Sequence, residues 1–183
     1  MLVSQNAGFP LAATLRGGRA PLGDVFSFLS GLYFRGKLAY ASTFGRHSVE
    51  APGILIITID RGLVTPETTV AIGDIQTFAT IDLATGAESF RGPLRRDAER
   101  LRDRIAKDRC VVLLGSIATG KYADALLDTF GPRLLFPTEF VGRGDMSRGG
   151  LMLRCVDDGR ELEYIPVEGA VRRGKRPPRL GSR

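Results

Sequence analysis

Residues 110–130 force a strand, a turn and a helix into one short span. Residues 110–114 are an unbroken apolar run, Gly115 and Gly120 bracket a loop, and 123–130 repeat apolar residues at helical spacing until Gly131 and Pro132 stop the pattern. The loop reads GSIATGKY. That is one residue short of the phosphate-binding pattern G-x-x-x-x-G-K-S/T, in the strand-before, helix-after context the pattern requires. The departure is Tyr122, a phenol where a small hydroxyl would bind Mg²⁺. Two readings stay open. Ser116, Lys121, Tyr122 and the backbone N–H groups at the helix start hold a phosphate without metal, or the loop is an ordinary turn capped by Thr119. Nucleoside-triphosphate hydrolysis is the weaker expectation, because the acid-tipped strand that would serve it, ending at Asp60, precedes the loop instead of following it. A degenerate phosphate-loop protein that binds nucleotide remains one alternative.

The remaining elements extend the strand–helix theme. Residues 54–59 form a β-branched run of the kind buried on both faces in a parallel sheet. Residues 23–41 read as an aromatic-rich buried helix broken by Gly31 and Gly36, and 74–79 as a short helix. In 93–108, Pro93 suits a first helical turn and Leu94, Ala98, Leu101 and Ile105 recur four, three and four apart. Residues 134–136 form a short strand, and Asp157, Asp158 and Gly159 between two apolar runs, 151–156 and 162–167, predict a hairpin. The expected fold is a three-layer α/β sandwich with a mainly parallel central sheet and a C-terminal antiparallel hairpin. Residues 1–22 read as a loose N-terminal segment, 23–170 as a single domain and 171–183 as a basic disordered tail.

Charge is unevenly placed. The chain holds 26 basic and 20 acidic residues, but six of the basic ones fall in 171–183, which has no acid. Residues 1–170 are therefore formally neutral. The tail, through Arg172, Arg173, Lys175 and Arg176, is the part expected to meet DNA or RNA. Cys110 and Cys155 lack metal-site spacing and read as buried free thiols in a reducing cytoplasm. No run is long enough to cross a membrane, and the N-terminus lacks the charged, then apolar, order of a secretion signal. His47 is the only histidine, and no G-x-S-x-G, metal-binding or dinucleotide pattern is present. No cofactor or metal is expected.

Chemistry-bearing residues gather at three strand ends: 60–63, 115–122 and 139–150. In the last, four glycines free the backbone, Arg143 and Arg148 offer fork donors for phosphate, Ser147 adds a hydroxyl, and Glu139 and Asp145 are candidate acids or bases beside Asp60. The bland alternatives are a capped turn at Asp60 and a solvated loop of mutually paired charges at 139–150.

Several stretches, in order, resemble a group of poorly characterised bacterial and phage proteins related in pattern to the YaaA-like and uracil-DNA-glycosylase-like α/β folds. They are Leu32 and Tyr33 followed by 34–41, the segment 56–64 leading to Pro66, Gly115 with Tyr122 after a later strand, and Phe136 and Pro137 leading into the glycine loop. The resemblance implies a three-layer domain linked to nucleic-acid bases. It carries over only Tyr33, Gly62, Leu63, Tyr122, Pro137 and Gly142. The glycosylase Gly-x-Asp-Pro-Tyr segment and catalytic histidine loop are missing, so familiar base excision is not expected. The expectation is a nucleotide- or nucleic-acid-related protein with an anion pocket where the strand ends converge. The alternative is a non-catalytic binding or assembly module with an acidic partner.

Overall fold

A computed structural model describes residues 2, 4, 7–80, 87–118, 120, 122–178 and 181. Among the described residues helix makes up 49% and strand 10%. That is too little strand for a central sheet, and the expected sandwich is not formed. Three small sheets take its place. β1 (Ala20–Pro21) pairs antiparallel with β4 (Thr69–Val70), and β2 (Ile56–Ile57) with β3 (Leu63–Val64). β5 (Val111–Val112) pairs parallel with β6 (Leu134–Pro137), and β7 (Tyr164–Pro166) adds antiparallel to the other edge of β6.

Six helices fill the rest: α1 (Pro10–Arg16), α2 (Leu22–Phe44), α3 (Ile72–Thr80), α4 (Ala87–Arg104), α5 (Ala123–Phe130) and α6 (Asp145–Asp157). The β5–α5–β6 unit is the parallel crossover that the opening motif predicts. Beyond it the parallel reading fails, for local reasons. The run 54–59 does not continue as a strand. It folds back through a tight turn in which Thr58 N–H and Oγ1–H both donate to the Gly62 carbonyl (2.8 and 3.0 Å), and Arg61 N–H donates to Thr58 Oγ1 (3.1 Å). Gly62, at φ +72°, supplies the left-handed residue this turn needs.

The C-terminal hairpin is also corrected. Residues 151–156 lie in α6, because Leu151, Met152 and Cys155 present a buried face at helical spacing. β7 pairs with β6 instead. Residues 139–150, expected as a glycine loop, are a 3-10 turn (Thr138–Phe140) running through Gly144 into α6. Within 1–22, expected to be loose, α1 buries Ala12 and Leu15. In the tail, 171–178 lies against the body. Cys155 is buried as expected, whereas Cys110 is exposed.

Two cores result. One gathers Leu94 and Ala98 of α4, Leu126 and Phe130 of α5, Phe136 of β6, Met152 of α6 and Tyr40 of α2. The other gathers Leu15, Leu22, Val25, Val70 and Ile75. Helix α2 serves both. Its register breaks at Gly31 (φ 61°, ψ −140°), so its first part faces one core and its second part the other. The second part crosses α6 so closely that a Cβ on Gly36 would fall 2.6 Å from the Gly149 carbonyl oxygen.

Candidate functional site

The α2–α6 crossing assembles the polar cluster of greatest interest. Where Gly149 meets the backbone of Leu32 and Tyr33, the first turns of α6 are pressed against the middle of α2. Tyr33 and Lys37, four residues apart on α2, share one helix face. The Lys37 ammonium sits over the Tyr33 ring, 4.0 Å from its centroid. Among the described residues Lys37 makes no ion pair. Burial lowers its pKa from 10.5 to about 8; the Asp145 carboxylate opposes that shift and the Arg148 guanidinium adds to it. The Tyr33 hydroxyl is buried, with no hydrogen-bond partner among the described residues. Burial raises its pKa, the Arg148 guanidinium pulls it back, and Asp145 and Tyr122 push it further up. Asp145 and Arg148 therefore lie within electrostatic reach of both Tyr33 and Lys37, and Tyr122 within reach of Tyr33.

Two of the expected phosphate-binding arginines are engaged mostly with protein. Arg148, 11% exposed, donates through Nε and Nη2 to the Phe140 carbonyl (3.2 and 3.1 Å) and lies 3.5 Å from Asp145 Oδ1. Arg143 donates to the Glu139 carbonyl (2.9 Å), to Ser147 Oγ (3.3 Å) and to the Pro178 carbonyl (3.4 Å). Both hold the 3-10 turn on the head of α6. Ser147 is engaged by Arg143. Glu139 faces away toward Arg160 (3.7 Å), with its second oxygen buried and unpartnered among the described residues.

The loop after β5 is built as a turn. Ser116 Oγ accepts from Ala118 N–H (3.3 Å), and Ile117, 4% exposed, anchors the loop in the core. Thr119 and Lys121 lie outside the described residues. Tyr122 opens α5 without a side-chain cap, and its ring meets Phe90 edge-on at 5.8 Å. It also lines a cavity of about 270 Å³ between the two cores, with Phe26, Phe78, Phe90 and residues 57–59. Tyr122 thus lines this aromatic cavity and lies within electrostatic reach of Tyr33.

The turn 60–63 follows directly on residues 57–59 of that cavity's lining. Asp60 Oδ2 lies 3.5 Å from Arg61 and its Oδ1 is buried without a partner among the described residues. Arg61 is also bound to Asp74 and lies over the Phe78 ring. The three expected segments therefore meet in part. The stretch just before Asp60 shares the aromatic cavity with Tyr122, Asp145 and Arg148 reach Tyr122 through Tyr33, and Glu139 stays outside. His47 accepts from Gly53 N–H (3.1 Å), a loop-closing contact.

Lys37 is the residue that the sequence reading passes over. Its signal was the tyrosine four residues earlier on an aromatic helix. Among the described residues, no helix is long and apolar enough to cross a membrane and no group of three or more His, Cys, Asp or Glu is placed to hold a metal ion. Compared with known proteins, the chain matches no family model, no curated protein and no solved structure.

Proposed function

We propose that the α2–α6 crossing binds the phosphate of a nucleotide or of nucleic acid, with Lys37 as its charged contact. The observation that carries this reading is the state of Lys37: a half-buried ammonium, depressed in pKa, with no carboxylate paired to it among the described residues. An isolated cation in a desolvated place is costly unless an anion arrives to share it. The first turn of α6, beginning at Asp145, adds N–H groups that face the same direction as the helix dipole's positive end. The aromatic cavity beyond Tyr122 supports a nucleotide over a bare anion, since flat rings stack on such walls. Tyr122 lines that cavity and lies within electrostatic reach of Tyr33. The reading is one of binding.

The test is calorimetric titration of pyrophosphate and of nucleoside monophosphates into the protein and into Lys37→Met. Binding by the parent that falls at least tenfold in Lys37→Met, with the melting temperature no lower than the parent's, supports the site. Equal affinity in both proteins, or no heat in either, removes it.

A further inference from the structure

The last described stretch of the chain, 171–178, is fixed to the body by contacts of two kinds. Main chain is close-packed at two places: a Cβ on Gly142 would collide with the Lys175 carbonyl oxygen, and one on Gly174 would fall 2.6 Å from Cγ1 of the Val141 side chain. The absence of a Cβ at both places lets the segment seat so closely. Side chains then hold each end. Arg172 pairs with Asp124 at 2.8 Å on the first turn of α5, and Arg143 donates to the Pro178 carbonyl. The segment therefore runs from the start of α5, two residues beyond Tyr122, to the start of α6, two residues before Asp145. Those are the flanks of the cluster around Lys37.

The charge carried by this segment has little internal use. Arg173, Lys175 and Arg176 are exposed, and none forms an ion pair among the described residues. The body they rest on is formally neutral. Its nearest acids are engaged: Asp124 holds Arg172, Asp145 lies against Arg148, and Glu139 lies against Arg160. Seating a cationic segment beside Arg143 concentrates like charge, which opposes docking. A free tail would avoid that repulsion.

We infer that residues 171–178 are a fixed cationic rail for the phosphodiester backbone of a nucleic-acid strand, leading it to the cluster at Lys37. The inference rests on the phosphate reading for the destination of the strand, but not for the rail. In extended chain, residues advance by roughly 3.3 Å and successive side chains alternate, so Lys175 and Arg176 point to opposite faces and the three cations flank the segment on both sides. Held in place, they meet a polyanion without the ordering cost a mobile tail would bear.

The experiment measures fluorescence anisotropy of a labelled oligothymidylate over a range of salt concentrations, with polyglutamate as a competitor. The triple variant Arg173→Ala, Lys175→Ala, Arg176→Ala should make the log–log salt slope shallower by about two, at roughly 0.7 for each phosphate of a single strand that is no longer neutralised. Gly174→Val keeps every charge and alters only the seat. It should weaken binding several-fold at fixed salt while the melting temperature holds. Gly142→Ala, which sets a Cβ against the Lys175 carbonyl oxygen and also keeps every charge, should act in the same direction, and this second variant keeps the test decisive if Gly174→Val folds poorly.

An unchanged slope in the triple variant overturns the rail. So does a lowered slope with both seat variants binding like the parent, because the segment would then act as a free polyelectrolyte. Polyglutamate competing as well as DNA overturns the choice of partner. Loss of pyrophosphate binding in Lys37→Met with an unchanged slope in the triple variant sinks the rail alone. The reverse pattern sinks the Lys37 reading alone.

Discussion

Gly36 of α2 and Gly149 of α6 touch backbone to backbone, each leaving no room for a Cβ on the other helix. A Cβ on Gly36 would lie 2.6 Å from the Gly149 carbonyl oxygen, and one on Gly149 would lie 2.7 Å from the Leu32 carbonyl oxygen. Neither obstacle is a flexible side chain, so the helices themselves must separate. Gly36→Ala and Gly149→Ala are each expected to destabilise by about 1–3 kcal/mol or more, despite the better helix propensity of alanine. Gly73 is the control, since it lies within α3 and a Cβ added to it would meet nothing within 4 Å. Gly73→Ala should stabilise by up to about 0.5–1 kcal/mol. Urea denaturation of the three variants checks the contrast, and a stabilised Gly36→Ala would show that the crossing is looser than described.

A chain of hydrogen bonds ties β7 to α2. Leu162 N–H donates to Tyr40 Oη (2.8 Å), the Tyr40 and Tyr164 hydroxyls lie 2.5 Å apart, and Tyr164 Oη–H donates to Glu161 Oε1 (3.0 Å). With Glu161 accepting at one end and Leu162 donating at the other, the protons order in one direction, from Tyr40 to Tyr164 to Glu161. Tyr40→Phe strands the buried Leu162 N–H and should cost about 1–3 kcal/mol. Tyr164→Phe leaves that N–H satisfied and should cost less. Equal losses by thermal denaturation would contradict the ordering.

Asp97 joins α4 to the β2–β3 hairpin. Its Oδ2 accepts from Leu63 N–H (3.1 Å), and Arg96 and Arg100 flank it. Burial pushes its carboxyl up, but the hydrogen bonds from Arg96 and Leu63 and the charges of Arg96 and Arg100 outweigh burial and leave it below the ordinary carboxylate value. A depressed acid contributes stability that is present above its unfolded pKa and is lost as pH falls through the folded one. Asp97→Asn should lower stability at pH 7 and flatten the acid limb of a stability–pH profile below about pH 4. An acid limb identical to the parent's would show that the loss lies elsewhere.

Local chemistry made part of this legible in advance. The β5–α5–β6 unit follows from the apolar run, the bracketing glycines and the Gly131–Pro132 stop. The helix around Leu94, Ala98 and Leu101 follows from their spacing. Gly149 misled because a glycine pair before an apolar run reads as a loop; its use as a helix contact depends on Gly36, far away in sequence. The run 54–59 misled because apolar residues do not reveal the turn that Thr58 and Gly62 close. Asp145, Arg148 and Tyr122 were identified by residue type, whereas Lys37 becomes visible only once α6 is laid across α2.

Lys37 also makes an opposing pair of predictions. Its folded pKa, about 8, lies below the ordinary value of 10.5. Between those two values the unfolded chain binds more protons than the folded one, so stability rises with pH across that window. Lys37→Met should raise the melting temperature at pH 7, remove that rise and abolish pyrophosphate binding. A destabilised Lys37→Met that still binds pyrophosphate would reverse both expectations.

The most direct measurement follows the Lys37 side chain itself, by NMR titration of lysine-labelled protein with and without saturating pyrophosphate. The account predicts an apparent pKa near 8 for the free protein, and a higher value with the anion bound because a neighbouring negative charge favours the ammonium. An ordinary lysine pKa in the free protein, or the same value in both titrations, would contradict it.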